Sequence, residues 1–184
     1  MTDTDKLPPV LISQEAIEQR VHELGDRLSA DYAGRELLMV GILKGSWMFL
    51  ADLVRQMKIP VLIDFMTVSS YGPSTRTSGV VKILLDLKSP LEGRDVLVVE
   101  DILDTGLTLK YIIDGLKLRH PRSLKTVVLM DKPGPRRVDI KADYVGFTVP
   151  DKFVVGYGVD RSERFRNLPY VGCVEPEEES NGGR

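Results

Sequence analysis

Cysteine is almost missing from this chain. Its 184 residues contain one, Cys173, so no internal disulfide can form and a reducing, cytoplasmic setting is the simplest reading. Tryptophan occurs once and histidine twice. His22 lies off the apolar stripe of its helical segment, and His120 sits at a helix end before Pro121, so both read as surface residues. No apolar run approaches the roughly 20 residues a membrane-spanning helix needs, and the polar start, Met1 to Lys6, has no apolar core of a signal peptide. Neither charge sign dominates: 25 Lys and Arg stand against 27 Asp and Glu, a formal net charge of −2. That balance supplies no field for unselective binding to nucleic acid. The phosphate-binding pattern G-x-x-x-x-G-K-[ST] is absent, and so is G-x-G-x-x-G, because Gly156-Tyr-Gly158 is not followed by the third glycine. Nucleoside triphosphate and dinucleotide readings lose their main support.

What is present is an ordinary globular composition, 42% hydrophobic, in a length that suits one domain over residues 1–184. Residues 1–9 read as a flexible arm, an irregular stretch reaching to about residue 12, and Glu175 to Arg184 as a disordered acidic tail. Ser13 is a candidate helix cap before Ile17, Val21, Leu24 and Leu28, which recur at helical spacing. Leu37 to Leu43 is almost wholly apolar, as a strand buried on both faces should be. A helical pattern follows through Leu50, Val54 and Met57. Strands are expected at Val61 to Val68, Val80 to Leu87, from Val96 to Val99, Leu124 to Met130, Tyr144 to Val149 and Phe153 to Tyr157, with a helix running to about Arg119 between the third and fourth of these. Strands alternating with helices imply an α/β fold with a mostly parallel central sheet flanked by helices. Ligands in such folds bind beyond the carboxyl ends of the strands. The polar interruptions at Lys44, Glu100 and Asp131-Lys132 each follow a strand and can converge there. Ser69 to Gly79 carries no bulky aliphatic residue and is long for a connection inside a compact domain, which marks a functional lid or a disordered loop.

The most informative stretch runs from Val96 to Leu109. A β-branched, aliphatic run stops at Glu100 and Asp101; Asp104 follows, then Thr105-Gly106-Leu107-Thr108 and an apolar helical pattern. Hydroxyls and backbone N–H groups at a helix start suit an anion, and carboxylates beside them suit hydroxyl groups or a hard cation. A solvated strand end or an acidic signalling pocket would share part of this pattern.

This stretch resembles the phosphoribosyl pyrophosphate (PRPP) signature of the type I phosphoribosyltransferases. Leu43-Lys44-Gly45-Ser46, Ser70-Tyr71, and Pro150 to Tyr157 continuing to Asp160 and Phe165-Arg166 narrow the resemblance to the hypoxanthine-guanine phosphoribosyltransferases, over roughly residues 10–172. The resemblance implies that family's fold, with a small hood from the terminal segments, and transfer of the 5-phosphoribosyl group from PRPP to hypoxanthine or guanine, giving IMP or GMP and pyrophosphate in purine salvage. It implies Asp104 as general base, and Glu100, Asp101, Asp104, Thr105, Gly106, Leu107 and Thr108 around PRPP and its 5′-phosphate. Leu107 departs from relatives that carry Lys or Asn and would offer its backbone alone. Lys44, Gly45, Arg166, Ser70 and Tyr71 fall to pyrophosphate, the last two on a mobile loop. Lys132, Phe153, Val154 and Asp160 fall to the purine, and Glu100, Asp101 and Asp160 to Mg²⁺. The pyrophosphate loop of this family often holds a cis peptide, which the sequence leaves open at Lys44–Gly45. A homodimer or homotetramer is implied, with no nucleic-acid or membrane partner. Use of xanthine as well, or a non-catalytic PRPP-sensing regulator, are the alternatives.

Overall fold

A computed structural model describes residues 7–70 and 81–174. Two sheets and three helices make up this part of the chain. The chain order is β1 (Val10–Ile12), α1 (Gln14–Asp31), β2 (Leu37–Leu43), α2 (Trp47–Gln56), β3 (Val61–Ser70), β4 (Val81–Leu85), β5 (Asp95–Leu103), α3 (Leu107–Lys117), β6 (Ser123–Asp131), β7 (Tyr144–Thr148), β8 (Phe153–Val155) and β9 (Val171–Val174).

The central sheet has the order β4-β3-β2-β5-β6-β7. Its inner pairs are parallel, and β4 runs antiparallel at one edge. Apolar runs form its middle because both faces are covered. Leu37, Met39, Leu97, Val99, Val127 and Leu129 face one core with α1 and α2, while Leu38, Val40, Val96, Val98 and Val128 face a second with α3. This is the period-2 alternation of a strand read on two buried sides. Ser13 caps α1 as expected, accepting from the Ala16 N–H at 3.3 Å, and Ile17, Val21, Leu24 and Leu28 form its buried face.

The crossover from β2 leads to β3 on one side, and that from β5 leads to β6 on the other. The adjacent carboxyl ends of β2 and β5 are therefore the point where winding reverses and a crevice opens.

Three expectations shift. Glu100 and Asp101 do not follow a strand but lie within one: β5 continues to Leu103, with Glu100 opposite Val128 and Leu103 opposite Asp131. Residues 10–12 are a strand of the small hood sheet β1-β9-β8, not part of an irregular arm, because β9 offers an antiparallel partner; Pro8 is buried beneath it, its carbonyl accepting from the Tyr170 hydroxyl at 3.0 Å. β3 runs on to Ser70, whose register partner is Val81. The intervening segment, including Tyr71 and most of the expected lid, lies outside the described residues, as do residues 1–6 and the tail from Glu175. Among the described residues no helix is long and apolar enough to cross a membrane.

Candidate active site

The crevice at the ends of β2 and β5 gathers most of the residues singled out above. Its floor is β5. Four successive fully buried residues, Val96 to Val99, hold the strand in place, and the chain then presents Glu100 and Asp101 at partial exposure. Asp101 Oδ1 accepts from the Ile102 N–H at 2.9 Å, whereas Glu100 Oε2 is enclosed and has no partner among the described residues. Burial pushes the Glu100 carboxyl well above its ordinary range, and the neighbouring Asp101 pushes it further. Burial also raises Asp101, to about 6, against the pull of the Ile102 N–H and the Arg166 charge. Two adjacent enclosed carboxylates that resist ionisation form a site a cation would stabilise.

The second wall is the loop after β2. The peptide bond between Leu43 and Lys44 is cis, one bond before the Lys44–Gly45 position considered from the sequence. Ser46 is fully buried and donates to the Ile42 carbonyl at 2.7 Å, closing the turn. A side chain at Gly45 would put its first carbon 1.8 Å from Asp101 Oδ2, and one at Gly158 would lie 2.1 Å from the Gly45 carbonyl oxygen. The loop is thus pressed between the β5 acids and the turn at residues 156–158, and only glycine allows that approach.

That turn is held by Arg166, eight residues further on. Its guanidinium donates to the Gly158 carbonyl at 2.8 Å and pairs with Asp160 Oδ1 at 2.8 Å and with Glu163 Oε2 at 3.4 Å. The Glu163 carboxylate also meets Lys44 Nζ at 3.1 Å, and this contact is the chief cause of its lowered pKa. Lys44 and Arg166, distant in sequence, therefore share one carboxylate.

The third wall is the end of β6. Lys132 is only 8% exposed. Its ammonium lies 3.3 Å from Asp151 Oδ1, 3.3 Å from the Lys152 carbonyl and 3.6 Å from Asp104 Oδ2. Asp104 Oδ1 is enclosed without a partner among the described residues. Lys132 so joins the loop after β5 to the segment leading into β8. There Val154 is buried while Phe153 is 48% exposed, its ring 6.0 Å from the Arg161 guanidinium carbon. Phe153 is thus a half-exposed ring at the start of β8. α3 opens at Gly106, which has a φ of 82°, and Thr105, Leu107 and Thr108 are partly exposed around it. The first turn of a helix leaves N–H groups without intrahelical acceptors, so this end of α3 can take an anion.

Among the described residues no group of three or more His, Cys, Asp and Glu side chains gathers closely enough to hold a metal alone. Asp160 is engaged by Arg166 and by the Glu163 N–H at 2.7 Å. Glu100 and Asp101 fit a hard divalent cation that takes its remaining oxygen ligands from a substrate.

Sequence reasoning missed Glu163 and Asp151. Asp151 lay inside a segment already singled out, beside Phe153, and its charge next to Lys132 could have flagged it. Glu163 carried no such signal.

Comparisons with known proteins place the chain in a family. A model of the phosphoribosyl transferase domain matches residues 11–162. The hypoxanthine-guanine phosphoribosyltransferase of Bacillus subtilis is 53% identical over 167 residues, 91% of this chain and 93% of its own length. That of Staphylococcus aureus is 51% identical over 175 residues, 95% and 98% of the two chains. The bifunctional protein TilS/HprT of Listeria monocytogenes is 53% identical over 168 residues, and the chain spans about a quarter of that relative, 26%. A crystal structure of a hypoxanthine phosphoribosyltransferase from Staphylococcus aureus superposes with a TM-score of 0.91 at 49% identity, covering 98% of each chain. The chain belongs to the phosphoribosyltransferases, a class whose mostly parallel central sheet flanked by helices it shares. Within that class it belongs to the hypoxanthine-guanine phosphoribosyltransferase family.

Proposed function

We propose that this chain transfers the 5-phosphoribosyl group of PRPP to a ring nitrogen of hypoxanthine or guanine and releases pyrophosphate. The observation that carries the reading is the meeting of Asp104 and Lys132, 3.6 Å apart, which joins the loop leading into α3 to the segment that carries the half-exposed Phe153.

The bond from the anomeric carbon of ribose to pyrophosphate breaks, the bond from that carbon to the purine nitrogen forms, and the nitrogen's proton must leave. Asp104, with a free enclosed oxygen, accepts that proton. Thr105 to Thr108 hold the 5′-phosphate through hydroxyls and N–H groups. Lys44 and Arg166 face the charge that grows on the leaving pyrophosphate, a use for which preorganised cations are well suited. Bound at Glu100 and Asp101, Mg²⁺ would neutralise charge on the PRPP oxygens. Phe153 stacks on the base and the Val154 backbone reads its edge. Asp160, tied to Arg166, lies on the side of the purine 2-position.

Lys132 sets the choice of base. An ammonium only donates, so it suits the 6-oxo oxygen of hypoxanthine and guanine and opposes the amino group of adenine. Sites built on a buried hydrogen bond reject a mismatched analogue by roughly 10⁴-fold.

The assay is pyrophosphate release from PRPP with hypoxanthine, guanine, xanthine or adenine, with and without Mg²⁺. Release with the first two, lost on chelation, is expected; adenine should be near background, and Lys132→Met should raise KM for hypoxanthine while narrowing that gap. Release with no base sinks the enzymatic reading, and efficient use of adenine sinks the role of Lys132.

The reading takes residues 1–184 as one domain working in the cytoplasm. Self-association as a dimer or tetramer accords with the exposed apolar residues Leu62, Ile63, Phe65, Leu84 and Leu85 on β3 and β4, and light scattering of the purified chain tests it.

A further inference from the structure

We propose that Arg136 is a positioning residue for the phosphate cradle: it turns the peptide groups after β5 so that their N–H groups face the ligand. The inference rests on the reading of residues 104–108 as the site of the 5′-phosphate.

Arg136 stands in a turn after β6, its own N–H bonded to the Pro133 carbonyl at 3.2 Å. Its side chain is 18% exposed and points back across the loop that precedes α3. Nε donates to the Asp104 carbonyl at 2.8 Å and Nη2 to the Leu103 carbonyl at 3.1 Å. Nη1 donates to the Ile140 carbonyl at 2.6 Å, and Nη2 also meets the Asp131 carboxylate. Backbone groups of the same segment complete the pattern. The Lys132 N–H donates to Leu103 and the Arg137 N–H to Thr105, each at 2.9 Å.

Three consecutive carbonyls, Leu103, Asp104 and Thr105, are therefore all held from the side of residues 132–137. In a trans peptide the C=O and the following N–H point in opposite directions. Fixing these oxygens sets the N–H groups of Asp104, Thr105 and Gly106 toward the other side, where they continue into the N–H groups at the start of α3 that have no intrahelical acceptor. A run of N–H groups with a common direction makes an anion-binding concavity.

Gly106 lies against the stem of the same arginine. A side chain there would come within 3.0 Å of Arg136 Cδ and 2.7 Å of Ile140 Cγ2, and its φ of 82° favours glycine in any case. The arginine's charge is met by Asp131 next to Lys132, so its contribution is donor geometry more than net field. Only a planar fork reaches these acceptors together; a lysine ammonium is a point donor on a flexible stem.

Arg20 supplies the control. It too donates to backbone carbonyls, Gly146 at 2.8 Å and Val145 at 2.9 Å, but on the outer strand β7. The experiment measures kcat, KM for PRPP and for hypoxanthine, and inhibition by ribose 5-phosphate and by pyrophosphate, in wild type, Arg136→Met, Arg136→Lys and Arg20→Met. Thermal unfolding is followed alongside. With its two hydrogen bonds to the loop removed, KM for PRPP and the inhibition constant of ribose 5-phosphate should rise together by about ten- to hundredfold in Arg136→Met. Pyrophosphate inhibition should stay within about twofold, because its contacts lie on other segments. Arg136→Lys should recover stability more than phosphate affinity, and Arg20→Met should lower the unfolding temperature and leave every ratio as in wild type.

If Arg136→Met or the milder Arg136→Lys folds and weakens ribose 5-phosphate and pyrophosphate alike, or neither, the arginine is structural only and the inference fails. A wild type that releases no pyrophosphate with any base overturns the functional reading instead. Calorimetric binding of ribose 5-phosphate to wild type and Arg136→Lys then decides the inference separately, and no binding to wild type overturns it.

Discussion

The floor of the cleft, Glu100 to Thr108, comes from one unbroken stretch of chain, while the walls facing it are collected from residues 44–45, 131–136, 151–154 and 158–166. The two regions also differ in charge. On the floor Glu100 and Asp101 stand close together, enclosed and poorly paired, and burial raises both carboxyls. On the walls the cations assigned to the ligand already have carboxylates: Lys132 has Asp151 and Asp104, Arg166 has Asp160 and Glu163, and Lys44 has Glu163. A ligand at the floor must bring positive charge or hydroxyl donors. A ligand at the walls must replace an anion that is already there. PRPP with a divalent cation would do both, which is why the contrast bears on function.

Asp104 lies at the seam between the regions, and its loss should have the largest effect. Asp104→Asn keeps the shape and removes the proposed proton acceptor, so kcat should fall by about 10² to 10⁴-fold, the usual contribution of a general base. KM for PRPP should change little, because the cradle is backbone and hydroxyl. Steady-state kinetics check this; a variant with normal kcat removes Asp104 from the chemistry and leaves the seam merely structural.

Next in size is the cost of the paired acids on the floor. The Asp101 carboxyl stays protonated in the folded chain to about pH 6, against an ordinary value of 3.8. The folded state is then the tighter proton binder between these values. Its stability is fully present below about pH 4 and declines as pH rises to about 6. Glu100, raised for the same reason, extends the decline upward. With a chelator present, Asp101→Asn should therefore be more stable than wild type at pH 8 by something on the order of 2 kcal/mol, and the gain should vanish near pH 4. Chemical denaturation across that range tests the sign. A gain independent of pH would mean that packing against Gly45, not charge, is what the substitution changes.

The same contrast explains what the sequence reveals. The floor is legible because its determinants are neighbours: an apolar strand, two acids, a third acid and a Thr-Gly-Leu-Thr turn state their chemistry in order. Even there the strand runs four residues past Val99, since pairing with β6 carries Glu100 and Leu103 along, and alternation broken by charges hides that. The walls depend on pairings that no local pattern encodes. Val171–Val174 is too short to read as a strand without β1 and β8 beside it. Arg136, after Pro-Gly-Pro, looks like a solvated turn residue, and its role arises from carbonyls about thirty positions upstream. Lys132 and Phe153 stood out through family resemblance, whereas Glu163, three residues before Arg166, did not, because nothing in the pattern says that Lys44 will reach it.

Glu163 gives the smallest and most discriminating test of the walls. Its carboxylate lies 3.1 Å from Lys44 Nζ and 3.4 Å from Arg166 Nη2, so a pyrophosphate that engages both cations competes with it. Glu163 and Lys44 are largely exposed, and exposed ion pairs contribute little. Glu163→Gln, which keeps the shape and drops the charge, should lower KM for PRPP and tighten inhibition by pyrophosphate by about two- to fivefold. The gain should shrink as salt is raised toward 1 M, where screening reaches about 3 Å. Kinetics at two ionic strengths measure both. A rise in KM would reverse the assignment: the Glu163 carboxylate would then act by holding Lys44 and Arg166 ready for the leaving group, and the walls would be preorganised by their anions instead of blocked by them.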